Sequence, residues 1–285
     1  MWITDMVIRC IPDTIYLKCM YRIVTGKKLD LRHPKTFNEK LQWLKLHDRN
    51  PKYTKMVDKY EVRQYIKETI GEEYLIPLVG GPWERFDDID FSKLPKQFVL
   101  KCTHDSGSVV ICRDKDNFDI EGVRKKFNRA LKGNFFYGGR EWPYKNVKPR
   151  IIAEKYMVDE SGKNLNDYKI FNFNGIPKLI QVDFNRFENH RHNYYSTTWD
   201  FMNVYINYSN DPDVKIDCPK NLDELLKLAK KLSHGSIHLR TDFYLMGSRI
   251  FFGELTFYHE SGFGKFTPIE FEEQMGKWIR LPYEK

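Results

Sequence analysis

The runs Arg240-Thr241-Asp242 and Gly253-Glu254-Leu255-Thr256 carry the residue types most able to do chemistry in this chain. Both sit in apolar stretches, Ile237 to Leu245 and Arg249 to Phe257, joined through Met246-Gly247-Ser248, which predicts a β-hairpin. With Leu245 paired to Arg249 across a three-residue loop, Arg240 falls opposite Glu254, and Asp242 and Thr256 share its face by the period-two rule. An arginine and two carboxylates on one face of otherwise apolar strands need a partner. A hydrated divalent cation with phosphate meets that need. The plainer alternative is an Arg240–Glu254 cross-strand pair on a solvated face, which contributes little.

Other segments add to this pattern. Lys101 closes an apolar run and precedes Thr103-His104-Asp105-Ser106-Gly107-Ser108, whose small residues let backbone N–H groups approach phosphate oxygens while the lysine supplies positive charge. A hairpin with a solvated lysine is the alternative, and the loop is not a Walker A sequence. Glu154-Lys155-Tyr156-Met157 leaves another apolar run, where backbone groups and the Glu154 carboxylate can read an adenine edge. Charges at a strand end explain it equally well. Arg186 to Tyr195, with His190, Arg191 and Trp199, mixes aromatic and basic groups able to stack on a ligand and make charged hydrogen bonds, or to form a partly packed loop. His259 to Gly262 and Lys265 follow the carboxylate strand and form a candidate acceptor edge.

These segments need elements to hold them. Thr36-Phe37-Asn38-Glu39 has capping-box spacing and opens a helix predicted over 36–48; Val62, Tyr65, Ile66 and Ile70, with Gly71 as a stop, predict a second. Gly80-Gly81-Pro82 reads as a break, after which Phe98–Cys102 and Val109–Cys112 are short strands. Val123, Phe127 and Leu131 mark a helix, and Gly138-Gly139 with Pro143 and Pro149 a long loop of the kind that often forms a lid. Ile151 to Met157 is a buried strand. Asp167 to Phe173 and Ile176 to Phe184 form a hairpin through Asn174-Gly175, and Asn221 to His234 is a helix. The expected fold is α+β: a mainly helical region over 1–93, then antiparallel sheets with covering helices over 94–285.

At 285 residues with 41% hydrophobic and 30% charged residues the chain buries a substantial core, and disorder is excluded. The net charge of +8 favours an anionic partner, but basic residues are interspersed with Asp and Glu, which argues against nucleic acid. Five cysteines, none in a C-x-x-C pair, indicate neither a disulfide framework nor a zinc knuckle and fit a reducing cytoplasm. No run is long enough to cross a bilayer, and the N-terminus lacks a secretory signal's pattern. Residues 2–28 combine Trp2, Met6, Val7, Ile8, Ile11, Ile15, Leu17 and Met20 with Arg9, Lys18, Arg22, Lys27 and Lys28. That segment either packs on the protein or makes a peripheral contact with the inner face of a membrane.

The order of the motifs is more specific than any one of them. Lysine and glycine loop between two strands, then Glu154 to Met157, Asp167-Tyr168-Lys169, Arg240-Thr241-Asp242 and Glu254-Leu255-Thr256, resembles the ATP-grasp superfamily. Together with Asp58-Lys59 and Gly253 to Phe257 it resembles the TupA-like branch, over roughly residues 35–270. The resemblance implies ATP and Mg2+ as cofactors. By it, Lys101 and Lys155 contact the adenine and α-phosphate side, Glu154 the adenine amino group with Tyr156 and Met157 beside it, and His104, Ser106, Gly107 and Ser108 fold over the triphosphate. Lys169 holds a β- or γ-phosphate, Asp242 and Glu254 bind magnesium, and Arg240 stabilises the transferring phosphoryl group. Thr256 stands where most superfamily members place an Asn ligand. Asp159, Glu160 and Asp167 are all candidates for the ribose contact, with Asp167 favoured.

The resemblance further implies an ATP-dependent carboxylate-amine ligase that makes an amide through an acyl phosphate, joining an amino acid or related amine to a uronic acid of a bacterial capsule or cell-wall polysaccharide. Arg186, His190, Arg191, His259 and Lys265 are then the substrate candidates. The rival reading is a glycosyltransferase using a nucleotide sugar, for which Asp88-Ile89-Asp90 and Asp211-Pro212-Asp213 offer Asp-x-Asp patterns. The helical N-terminal third departs from the α/β domain of many superfamily members.

Overall fold

The computed structural model describes residues 8–158, 165–184 and 191–284. Two compact units divide the chain, one of residues 1–49 and 165–285, the other of residues 50–164. In chain order, α1 (Asp13–Thr25), α2 (Phe37–His47), α3 (Lys52–Val57) and α4 (Val62–Thr69) precede β1 (Leu78–Trp83), β2 (Phe98–Cys102) and β3 (Val109–Cys112). Helices α5 (Ile120–Ala130) and α6 (Phe136–Gly139) lead to β4 (Ile151–Lys155). Then come β5 (Asp167–Phe173), β6 (Ile176–Phe184), β7 (Arg191–Tyr195), β8 (Phe201–Met202) and β9 (Tyr205–Ile206). The last third holds α7 (Leu222–Leu232), β10 (His238–Met246), β11 (Arg249–Thr256), β12 (Phe266–Thr267) and α8 (Glu270–Trp278). Helices come before antiparallel sheets, the α+β arrangement expected.

In the 50–164 unit the strands run β1-β4-β2-β3. Period two separates their faces: Phe98, Leu100, Cys102, Ile151 and Ala153 enter a core with Val123 and Phe127 of α5, while Val99, Lys101, Ile152 and Glu154 point the other way. Gly80-Gly81-Pro82 is not a break but part of edge strand β1, which pairs with β4 through two register irregularities. An edge tolerates a proline because the missing N–H faces no partner strand. That pairing keeps residues before and after 94 in one unit. Phe136–Gly139 is a short helix and Trp142–Asn146 a 3-10 turn where the sequence suggested only a long loop.

In the other unit the order is β11-β10-β5-β6-β7-β8, with α7 burying Leu225, Leu228, Ala229 and Leu232. The β10-β11 turn is two residues long, with Met246 opposite Arg249 and Leu245 opposite Ile250. Beyond Phe243 and Phe252 the register slips by one at Gly253, so Asp242 faces Glu254 and Arg240 faces Thr256. This corrects the three-residue loop and the Arg240 to Glu254 pairing expected from sequence. In an unbroken register Glu254 would stand opposite Thr241 and point to the other face; the bulge turns it back. A Cβ on Gly253 would lie 3.1 Å from the Asp242 carbonyl oxygen, a tight approach that glycine relieves.

The β5-β6 hairpin repeats the device. Asn172 faces Pro177 but Phe171 faces Leu179, leaving Lys178 extra, and this slip brings Gln181 opposite Lys169 and Asp183 opposite Asp167. Proline has no N–H to give to a ladder, which suits it to such a position.

Helix α2 begins as its sequence predicts, with the Thr36 side chain accepting from the Glu39 N–H and the Glu39 carboxylate accepting from Thr36 in return. Three of its buried polar side chains reach one segment: Asn38 donates to Gly264 O, Gln42 to Gly262 O (2.7 Å) and Lys45 to Ser261 O (2.7 Å), while Lys40 donates to Ile279 O (2.8 Å). Gly262 has φ +64°, and a Cβ there would come within 2.6 Å of the Gln42 amide nitrogen. A capped helix thus fixes the turn that follows β11.

Candidate functional site

On the polar face of the four-stranded sheet, Lys101 Nζ lies 2.6 Å from Glu154 Oε2, one rung diagonally across the ladder. Arg63, delivered by α4, stands 4.0 Å from the other Glu154 oxygen and donates to Ile76 O. Glu154 is buried beside these two cations. Lys155 points to the opposite face and is exposed, and its N–H donates to Pro77 O. Tyr156 and Met157 follow the strand half-buried, with the Tyr156 hydroxyl accepting from Arg113 Nε.

The glycine loop is anchored at its base and open at its tip. Thr103 donates its N–H to Arg150 O, His104 is buried and donates from Nε2 to Ala130 O (3.0 Å), and Ser108 donates to the Asp105 carboxylate. Ser106 and Gly107 are exposed, Gly107 at φ +106° with nothing in reach of a Cβ. Lys59 contributes a cation that the sequence reading quoted only as part of a motif. Its N–H donates to Thr103 O and its ammonium donates to Asp105 O within the loop, while Asp58 beside it accepts from Arg150 (2.7 Å). The signal was present in Asp58-Lys59, but only the fold brings Lys59 and Asp105, 46 positions apart, together.

The six-stranded sheet carries a denser cluster. Across its polar face run Glu254, Asp242, Lys169, Gln181 and Tyr194, with Asp167, Asp183 and His192 one step along the strands. Arg240 forks onto Asp242 (Nε to Oδ1 2.7 Å, Nη2 to Oδ2 2.6 Å), reaches Glu254 Oε1 with the same Nη2 (3.0 Å), and donates from Nη1 to His259 Nδ1 (2.8 Å). Lys169 contacts Asp167, Asp183 (3.0 Å) and Asp242 (3.6 Å). The Gln181 amide donates to Asp183 (2.6 Å) and to His192 Nδ1 (3.1 Å), and Tyr194 donates to Gln181. Thr256 is 3.4 Å from Glu254 Oε1.

Burial alone would lower the Lys169 ammonium, but Asp167, Asp242 and Asp183 outweigh it and hold it raised. Burial pushes the Asp242 carboxyl up, to about 7, against the pull of Arg240 and Lys169. His259 is driven well below the usual histidine range, first by burial and then by Arg240, so it stays neutral and accepts through Nδ1. Four acidic side chains, Asp167, Asp183, Asp242 and Glu254, are gathered around two cations, Lys169 and Arg240. Asp183 and His192 were not singled out as site residues, because the Lys178 bulge that turns Asp183 onto this face leaves no mark in a period-two pattern.

Among the expected substrate residues, Arg186 and His190 lie outside the described residues, as do Asp159 and Glu160. Arg191 opens β7 and is tied to Ser209, Lys265 is exposed, and His259 is buried against Arg240 and Phe171. Trp199 stacks on Tyr195 at 4.4 Å within the protein.

A family model described as TupA-like ATPgrasp matches residues 39–280. No curated protein matches the sequence. Among solved structures, the chain is similar to the D-alanine–D-alanine ligase of Bacillus anthracis complexed with ATP, at 15% identity and TM-score 0.41, covering 71% of this chain and 53% of that one. The corresponding ligase of Helicobacter pylori gives 13% identity and TM-score 0.40, over 79% and 63%. A biotin carboxylase complex from Campylobacter jejuni gives 14% identity and TM-score 0.41, over 80% and 48%. The chain thus spans about half to under two thirds of the length of these proteins.

Proposed function

The chain belongs to the TupA-like ATP-grasp family, and on that premise we propose that it is an ATP-dependent carboxylate-amine ligase. Its substrates are an acidic sugar, a uronic acid of a capsule or cell-wall polysaccharide, and an amino acid or related amine. The observation that carries the ligase reading is the gathering of four acidic side chains around Lys169 and Arg240 on the polar face of the six-stranded sheet, a donor set that a magnesium ion with phosphate complements. Among the described residues no group of three His, Cys, Asp or Glu side chains forms a metal cage. Magnesium needs none, since it is usually held through one or two carboxylates together with substrate phosphates. The donor set fits: Asp242 Oδ2 and Glu254 Oε1 already share one cationic nitrogen, Arg240 Nη2. Asp242 and Glu254 are the proposed ligands and Thr256 a weaker third. Bound there, the metal neutralises charge on the β- and γ-phosphates.

The chain's own residues supply the rest. Glu154 accepts from the adenine amino group as Lys101 turns toward the α-phosphate, Lys59 and the N–H groups of the His104 to Ser108 loop serve the triphosphate, and Lys169 and Arg240 stabilise the phosphoryl group in transfer. His259 acts through Arg240. Lys155 contributes through its exposed ammonium, and Asp167 is the proposed ribose contact. Arg186, His190, Arg191 and Lys265 are proposed for the acidic sugar. In the reaction, a substrate carboxylate oxygen attacks the γ-phosphorus and ADP departs; the amine then attacks the acyl carbon, phosphate leaves and the amine gives up a proton. We place this chemistry in the cytoplasm, at the inner face of the membrane, where ATP and nascent polysaccharide meet.

The Asp-x-Asp patterns do not favour a glycosyltransferase. Asp90 accepts from the Ser92 N–H and hydroxyl, and Asp211 from the Asp213 N–H, so both cap their own turns. The test is to screen uronic acids with amino acids for ADP release and to weigh the product. Condensation by loss of water supports the ligase; ADP release without an amide product, or consumption of a nucleotide sugar, contradicts it.

A further inference from the structure

Helix α1 divides its surface three ways. Leu17 and Tyr21, both buried, face a cluster with Leu29, while half-buried Tyr16, Leu31, Leu46 and Phe263 pack around it. On the opposite side Ile15, Cys19 and Ile23 recur every four residues and lie open to solvent, Ile15 at 54% and Ile23 at 74% exposure. Lys18 and Arg22 form a parallel exposed row beside them. The segment that follows adds exposed Lys27, Lys28, Arg32 and Lys35, against Asp30, whose carboxylate accepts from the Arg32 and His33 N–H groups. Asp13 is paired with Arg49 at 2.8 Å. Core packing accounts for the first face only.

We propose that this outer face of α1 rests on an anionic lipid surface. The Ile15-Cys19-Ile23 stripe enters the boundary between headgroups and acyl chains, and the lysines and arginines beside it meet lipid phosphates. A helix with an apolar row flanked by basic side chains lies in that plane, and each cation near an anionic leaflet adds attraction that salt screens. The charge complementarity selects anionic lipid over a second copy of this chain, whose matching face would bring the same basic rows together. Among the described residues no helix is long and apolar enough to cross a membrane, so the contact is peripheral. It deepens the membrane placement proposed above by naming the helix face and the lipid charge that would make the contact, and it does not rest on the ligase reading.

The experiment is co-sedimentation of the full chain with phosphatidylcholine vesicles and with vesicles in which about a third of the lipid is phosphatidylglycerol. The expected result is binding to the anionic vesicles alone, weakened by salt, reduced about tenfold or more in Ile15→Asp/Ile23→Asp and strengthened in Ile23→Trp. Unliganded melting temperatures check that the variants fold. Equal binding to both vesicle types, no binding, or an unchanged double variant would overturn the proposal. So would a wild-type dimer that Ile15→Asp/Ile23→Asp converts to monomer, since the stripe would then be a protein interface. Melting shifts with magnesium and ATP, measured on the same samples, test the nucleotide site separately, and their loss in wild type leaves the lipid result standing.

Discussion

The two sheets meet the same electrostatic problem differently. On the four-stranded sheet, one carboxylate, Glu154, is balanced by Lys101 and Arg63 at the margin of an apolar core. On the six-stranded sheet, four acidic side chains, a lysine, an arginine and two histidines share a mostly buried face. One carboxylate between two cations leaves the cations in excess, a balance that suits the anionic nucleotide proposed for this face. A buried network is costly when incomplete, because burying charge is tolerated only with full pairing. The contrast matches the division of labour proposed above, with nucleotide contacts on one sheet and the metal ligands on the other.

The largest expected effect breaks the second sheet. Asp242→Asn leaves Arg240 and Lys169 with fewer partners and removes a metal ligand, so ADP formation falls by about 10³-fold in steady-state assays. If the loss is below about tenfold, the six-stranded face is structural and the contrast collapses. Glu254→Gln should come close to this, because it removes the second proposed ligand while leaving the bulge at Gly253 in place; magnesium titration by calorimetry should show no response in a variant that still melts cooperatively.

Lys101→Met tests the first sheet. Its expected result is about tenfold weaker ATP binding, with magnesium dependence unchanged, measured by fluorescence titration across magnesium concentrations. Loss of the magnesium dependence would mean the two regions are not separable.

Protons distinguish the sheets as well. His238 donates from Nδ1 to Asn172 O beneath the six-stranded sheet, and burial holds its pKa down to about 3. A histidine depressed in the folded state binds a proton only after unfolding, between pH 6.5 and 3. Stability from this group is therefore complete above pH 6.5, falls as pH drops, and is lost progressively through about 3. From pH 7.5 to 5 the loss is about 2 kcal/mol, read from urea midpoints, and His238→Gln should reduce that slope. His259 adds in the same direction.

The smallest effect sharpens the positioning argument. Thr36→Ala removes the cap of α2 and should cost about 1 kcal/mol of stability. Because α2 holds the turn at Ser261 and Gly262, the rate should fall modestly while ATP affinity holds.

Much of this was legible in the sequence. The capping box at Thr36, the Asn174-Gly175 turn, the alternating faces of Phe98 to Cys102 and the order of the motifs are local signals, and the structure places α2, β5, β6 and β2 accordingly. What was hidden is non-local or a matter of one residue. The slips at Gly253 and Lys178 decide which face Glu254 and Asp183 take, yet a period-two pattern cannot register an extra residue. The partnership of Lys59 with the glycine loop and of α2 with the turn before Phe263 spans long stretches of chain. β1 was missed because glycines and proline read as punctuation when they occupy an edge.

The central claim is tested most directly by thermal unfolding of the wild type, Asp242→Asn and Glu254→Gln, with ATP and magnesium and with a UDP-sugar as control. The account predicts a rise in melting temperature that needs both ATP and magnesium, is absent in both variants and is not produced by the UDP-sugar. No response to ATP in the wild type, with a clear response to the UDP-sugar, would contradict it.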